Sequence, residues 1–163
     1  MAAPDDLLYE YGVIRYMPRV DREEFVNIGL IMMNKRHRWL KALVLYDESR
    51  LRALYPQADL ECLKKQSGLF ELNDVPGKDL PVEEKYRWLT AAKSACLQVS
   101  PSHPGLLTLD KITADKNHTD LSHIDKSLQD KDLVDTNPID KSKIDISSAM
   151  EREFSRLFSL LIL

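Results

Sequence analysis

The stretch YEYGVIRYMPRVDREEFVNIGLIMMNKRHRWLKALVLY, Tyr9 to Tyr46, holds the scaffold of this chain. Its opening, Leu8 to Tyr16, is rich in aromatic and β-branched side chains and predicts a strand that Pro18 ends. A charged connection, Arg19 to Glu24, leads into FVNIGLIMMN, Phe25 to Asn34. That run is almost continuously apolar, as expected of a central strand covered on both faces. Gly29 within it suits a bulge or a close neighbour. The basic turn Lys35-Arg36-His37-Arg38 is short, so the third strand, Trp39 to Tyr46, should fold back antiparallel as a hairpin.

Helices are expected downstream. Asp47 or Ser49 opens a short one to Leu54, which Pro56 breaks. Asp59 caps a second, its inner side marked by Leu60, Leu63 and Leu69. Pro81 suits the first turn of a third, PVEEKYRWLTAAKS, in which Val82, Tyr86, Leu89 and Lys93 recur at helical spacing. Ala95 to Ser100 reads as a further strand, ended by the turn PSHPG. Ser148-Ala149-Met150-Glu151 forms a capping box for a last helix with Met150, Phe154, Leu157, Phe158 and Leu161 inward. Together these elements predict an α+β domain, an antiparallel sheet of about four strands with helices packed on it, in an order the pattern leaves open.

Between the last two elements runs an aspartate register: Asp110, Asp115, Asp120, Asp125, Asp130, Asp135, Asp140 and Asp145. A five-residue period rotates successive aspartates by roughly 140° on a helix and alternates them across a strand, so neither gathers them on one face. A four-sided pentapeptide coil needs an apolar residue after each aspartate. Lys111, Lys116, Lys126, Lys131 and Lys141 stand there instead, and unpaired charges are not buried in such a coil. The reading is a low-complexity insertion, a mobile loop over residues 109–147. It divides a core at 7–108 from a C-terminal helix at 148–163, both parts of one domain.

The chain has 163 residues, is 44% hydrophobic and 30% charged, and carries a formal net charge of -3. Residues 109–148 hold six lysines and nine aspartates, which accounts for that whole charge and leaves the remainder neutral. A neutral body lacks the broad basic field that drives sequence-independent nucleic-acid binding. Cys62 and Cys96 have no metal-ligand or redox spacing and are expected as reduced thiols. With no secretory pattern at the start and no apolar stretch near ~20 residues, the expectation is a cytoplasmic protein without a membrane partner. No metal or other cofactor is expected.

Two motifs, YEYGVIRYMPRVDREEFVNIGLIMM and KYRWLTAAKSACLQVSPSHPG, resemble the bacterial family catalogued as domain of unknown function 3037. The resemblance rests on Arg15, Arg22, Glu24, Phe25, Asn27 and Gly29, then on Arg87, Trp88, Ser94, Ser100, His103 and Gly105. It covers about Leu8 to Thr108 and the last helix, with the aspartate register set between. The family supplies no established reaction. The resemblance implies a cytosolic accessory partnered with a HipA-like kinase or another protein.

Several residues are candidates for function. If the first two strands pair, Arg15, Arg19, Arg22, Glu24 and Asn27 gather at one end of them, with Arg87, Ser100 and His103 as expected neighbours. Arginine forks and a carboxamide can clamp a phosphate or carboxylate. The structural alternative, which is favoured, pairs Arg22 with Glu24 or a neighbouring acid and gives Asn27 to backbone groups at a strand start. Glu23 and Glu24 point apart on a strand and make a poor acid/base pair. Cys96 with His103 would be a nucleophile pair lacking an orienting acid. Lys35, Arg36 and Arg38 beside Trp39 resemble a nucleic-acid finger, a reading the neutral body does not favour. No catalytic constellation emerges. The expectation is a non-catalytic interaction module, with a small enzyme or ligand-binding domain for a phosphorylated or nucleic-acid substrate as the alternative.

Overall fold

The computed structural model describes residues 7–71, 79–108 and 145–163. Within them, five antiparallel strands form one sheet: β1 (Leu7–Arg19), β2 (Glu24–Asn34), β3 (Trp39–Val44), β4 (Leu97–Val99) and β5 (His103–Leu107). Their order is β3-β2-β1-β4, and β5 shares the β1 edge with β4. Four helices among the described residues follow the α+β expectation: α1 (Glu48–Leu54), α2 (Leu60–Ser67), α3 (Val82–Thr90) and α4 (Ile146–Leu161). No helix among the described residues is long and apolar enough to cross a membrane.

β1 is the hub. It pairs with β2 along most of its length, and its other edge takes β4 opposite Ile14–Tyr16 and β5 opposite Leu7–Tyr11. Alternation sends Ile14 and Tyr16 to one face, where they pack with Leu51 of α1, Leu63 of α2 and Tyr86 and Leu89 of α3. Tyr9 and Val13 go to the other face and meet Met150, Phe154, Leu157 and Phe158 of α4. Both faces of β2 are therefore buried, which is why its sequence shows no polar alternation.

The expected bulge is present. Ile14 faces Gly29 but Arg15 faces Asn27, so Ile28 is the extra residue. A Cβ on Gly29 would lie 2.5 Å from the Leu43 carbonyl oxygen, so only glycine lets β3 approach there. Pro18 does not end β1. The strand runs on to Arg19 through a second irregularity between Tyr16 and Arg19, a place where a missing N–H disrupts no regular ladder.

Asp47 and Asp59 cap α1 and α2 through side chains that accept from Ser49 N and Cys62 N. Two other boundaries differ from expectation. α3 stops at Thr90, because Ala91 is extended (ψ 143°), so Lys93 lies beyond the helix and outside its apolar stripe. α4 starts one turn earlier than the expected capping box. Asp145, the last aspartate of the register, is its N-cap and accepts from Ser148 N at 3.3 Å. Of the loop expected over 109–147, residues 109–144 lie outside the described residues, and 145–147 are instead the N-cap and first residues of α4.

PSHPG is not only a turn, since His103-Pro104-Gly105 enters β5. Ser100 bridges the break between β4 and β5. Its N–H donates to Val13 O at 2.8 Å, and its Oγ accepts from Val13 N at 2.9 Å in place of a strand carbonyl. The hydroxyl then donates to Pro101 O at 3.0 Å. One side chain thus continues the ladder across a proline-framed gap.

Candidate functional site

Arg15 and Asn27 are cross-strand neighbours on the face that carries α4. The Arg15 guanidinium lies over the Phe25 ring, 4.5 Å from its centroid, and Phe25 itself is 44% exposed. Asn27 Nδ2 donates to Leu161 O at 3.1 Å, at the end of α4. That bond fixes the amide orientation, because a flipped side chain would set oxygen against oxygen. Asn27 Oδ1 then points away from the helix end, buried and without a hydrogen-bond partner. Arg15 Nε is the other buried side-chain atom left unpaired among the described residues.

Asn27 also lines an open groove of about 470 Å³, together with Val26, Leu45, Leu51, Ile162 and Leu163. Arg50 stands at its wall and donates to Ile162 O at 3.3 Å. Leu45, Leu160 and Leu163 are exposed at this end of the fold, Leu160 at 70%. This end of the fold therefore carries an apolar-walled groove with Arg50 in its wall, and Asn27 in that wall is the cross-strand neighbour of Arg15.

The other predicted residues separate. Arg22 pairs with Glu24 at 3.3 Å, both exposed, as the structural alternative requires. Arg19 likewise pairs with Asp21, whose carboxyl is held below its usual range mainly by that hydrogen bond. The strand turn is tight, with Glu23 in the left-handed region at φ 52°. Arg87 is exposed on α3, across the sheet from Arg15, so the two cannot form one clamp. Ser100 is 6% exposed and belongs to the sheet ladder, not to a surface. His103 is exposed and lies tilted against Tyr11 with centroids 5.2 Å apart. Cys96 sits opposite Met17, six strand residues from Tyr11, or roughly 20 Å along β1. Cys96 and His103 therefore form no dyad.

The basic turn is also engaged in structure. Lys35 pairs with Glu83 at 3.3 Å, and that carboxyl is held low first by its own backbone N–H and then by Lys35. His37 N donates to Asn34 Oδ1 at 2.8 Å, and Arg38 adopts φ 52° to close the turn. Trp39 is partly buried and packs edge-on against Phe154 at 6.3 Å, so part of its ring is committed to the α4 core.

Two polar clusters escaped the sequence reading. Tyr9 donates to Glu153 Oε1 at 2.5 Å, and Arg156 grips the same carboxylate with Nε at 2.9 Å and Nη2 at 2.8 Å. Glu153 is only 9% exposed, so this ionic knot pins α4 to the sheet. Burial and the neighbouring carboxylate push the Tyr9 phenol well above its usual range. The Glu-x-x-Arg spacing within α4 was the available signal, but its third member is far away in sequence. The second cluster joins Cys62, Gln66, Ser94 and Cys96 between α2 and the lead-in to β4.

No group of three or more histidine, cysteine, aspartate or glutamate side chains among the described residues is placed to hold a metal ion. A family model described as "Protein of unknown function (DUF3037)" matches residues 11–134. No curated protein and no solved structure matches the chain.

Proposed function

Because the chain belongs to the DUF3037 family, whose description names no reaction, we propose that it is a non-catalytic interaction module working through the Arg15–Phe25–Asn27 end of its sheet. The carrying observation is the Arg15 guanidinium on the half-exposed Phe25 ring, its Nε unpaired, with its cross-strand neighbour Asn27 bonded to Leu161 O at the exposed end of α4. Stacked arginines and aromatic rings next to apolar surface are the usual energetic anchors of protein interfaces. A buried donor left without an acceptor costs about 1–3 kcal/mol. A partner that lifts Arg15 off Phe25 and offers it a carboxylate relieves that penalty while covering the ring.

The family resemblance suggests a HipA-like kinase of the same bacterium as that partner, met in the cytoplasm. The test is co-purification of the tagged chain with that kinase, using wild type, Arg15→Glu and Phe25→Ala. The reading expects at least a tenfold loss of retention in both variants with unchanged melting. Retention equal to wild type in both, or nucleotide hydrolysis by the purified chain alone, refutes it.

The groove favours one second reading, since its volume falls in the range of about 300–1,000 Å³ seen for small-ligand sites. A phosphorylated ligand would meet Arg50 there. Calorimetric titration with a nucleoside diphosphate, on wild type and Arg50→Ala, tests that reading. Heat that vanishes in the variant supports it, and no heat with wild type rejects it.

A further inference from the structure

We propose that Cys62 and Cys96 are an oxidisable thiol pair that peroxide closes to a reversible disulfide. Both sulfurs are bonded to one carboxamide. Gln66 Nε2 donates to Cys62 Sγ at 3.1 Å, and Gln66 Oε1 accepts from Cys96 Sγ at 3.4 Å. The nitrogen and oxygen of an amide stand about 2.3 Å apart, so the two sulfurs lie within about 9 Å of each other. The cysteines come from separate elements, α2 and the lead-in to β4, so a bond between them would staple two parts of the fold.

Access and room are both present. Each cysteine is only partly buried, which admits a small oxidant. Closure must displace the Gln66 side chain, and a cavity of about 120 Å³ lined by Gln66, Leu69, Ser94 and Leu97 lies beside it to receive it. Ser94 Oγ, 3.2 Å from Cys96 Sγ, stays with the sulfur as its hydrogen-bond partner.

The chemistry balances with hydrogen peroxide as oxidant. One thiol attacks peroxide, giving a sulfenic acid and a water molecule. The second thiol attacks that sulfur, its proton leaves with the hydroxyl as a second water, and the S–S bond forms. Two thiols are oxidised by two electrons and one peroxide is reduced. A small dithiol reverses the reaction by exchange.

The experiment treats the reduced, full chain with a few equivalents of hydrogen peroxide and measures intact mass, followed by peptide mapping after alkylation. The expected product has lost about 2 Da, the two thiol hydrogens, with the Cys62 and Cys96 peptides linked within one chain. Dithiothreitol should restore the starting mass. Cys62→Ser and Cys96→Ser should each abolish the loss and accumulate about 16 Da at the remaining sulfur. Gln66→Ala, which leaves nothing to displace, should close at least threefold faster. Overoxidation of both sulfurs in the wild type without the 2 Da loss, links only between chains, or no reaction overturns the proposal.

Discussion

Replacing Ser100 by alanine tests whether the serine before Pro101 is a strand component or a surface group. The change removes the acceptor of Val13 N, a 2.9 Å bond in a site where Ser100 is 6% and Val13 5% exposed. Water cannot readily replace the hydroxyl at that depth. An unsatisfied buried N–H costs about 1–3 kcal/mol, so a loss of about 2 kcal/mol is expected. With a urea dependence of about 2 kcal/mol per molar, the midpoint should fall by about 1 M. In a thermal scan the same change corresponds to about 4–8 °C for a chain of this size. Retention by the proposed partner, per folded molecule, should not change, because the side chain is bonded to Val13 and Pro101 and not to Arg15 or Asn27. A midpoint within 0.2 M of wild type, with m near ~2 kcal/mol per molar, would refute the ladder argument. Lost binding at unchanged stability would return Ser100 to the interaction surface.

Gly105→Ala should destabilise the fold by about 1–3 kcal/mol, since its new Cβ would sit 2.1 Å from Tyr9 Cζ, and Tyr9 is tethered to Glu153. Chemical denaturation measures it, and a neutral result would mean that the Tyr9 ring can move freely. Alkaline pH should weaken the protein. Burial raises the phenols of Tyr9, Tyr16 and Tyr86 above their unfolded value of 10.0, so the folded state holds protons the unfolded chain releases. Stability linked to them is complete below pH 10 and falls as pH rises beyond it, and Tyr9→Phe should make that fall less steep in melts between pH 9 and 12. Arg22→Ala should change stability by less than about 0.5 kcal/mol, because its pair with Glu24 is exposed on both sides. If the 35–38 turn bound DNA, retention on a DNA column would fall steeply with salt, and neutralising Arg36 and Arg38 would flatten that slope. Trp39, packed against Phe154, leads us to expect no retention at 150 mM salt, near physiological ionic strength.

Legibility followed the range of the interactions. The hairpin of β2 and β3 and the caps at Asp47 and Asp59 are set by neighbours a few residues away, and local pattern reveals them. The pairing of Arg22 with Glu24 was readable for the same reason. What failed depended on distant partners. β5 is a strand because Tyr11 and Tyr9 lie opposite His103 and Gly105, which overrides a segment whose prolines read as a turn. The α4 boundary moved because Asp145, counted as one more repeat, has Ser148 N within reach. Of the candidate site, Arg15 and Asn27 do come together. Arg87 does not, because the face a helix covers is decided by tertiary packing and not by its own periodicity.

The divided partner of β1 also governs how this sheet can grow. Pro101 and Pro104 supply no amide hydrogen, so an incoming chain along the β4–β5 rim would find donors missing at two points, a natural guard against stacking with other molecules. The opposite rim is β3, Trp39–Val44, which has no proline and one charged side chain, Lys41. Uncontrolled self-association of concentrated protein should therefore begin at β3, and a second lysine at Leu43, already 43% exposed, is the first substitution to try against it.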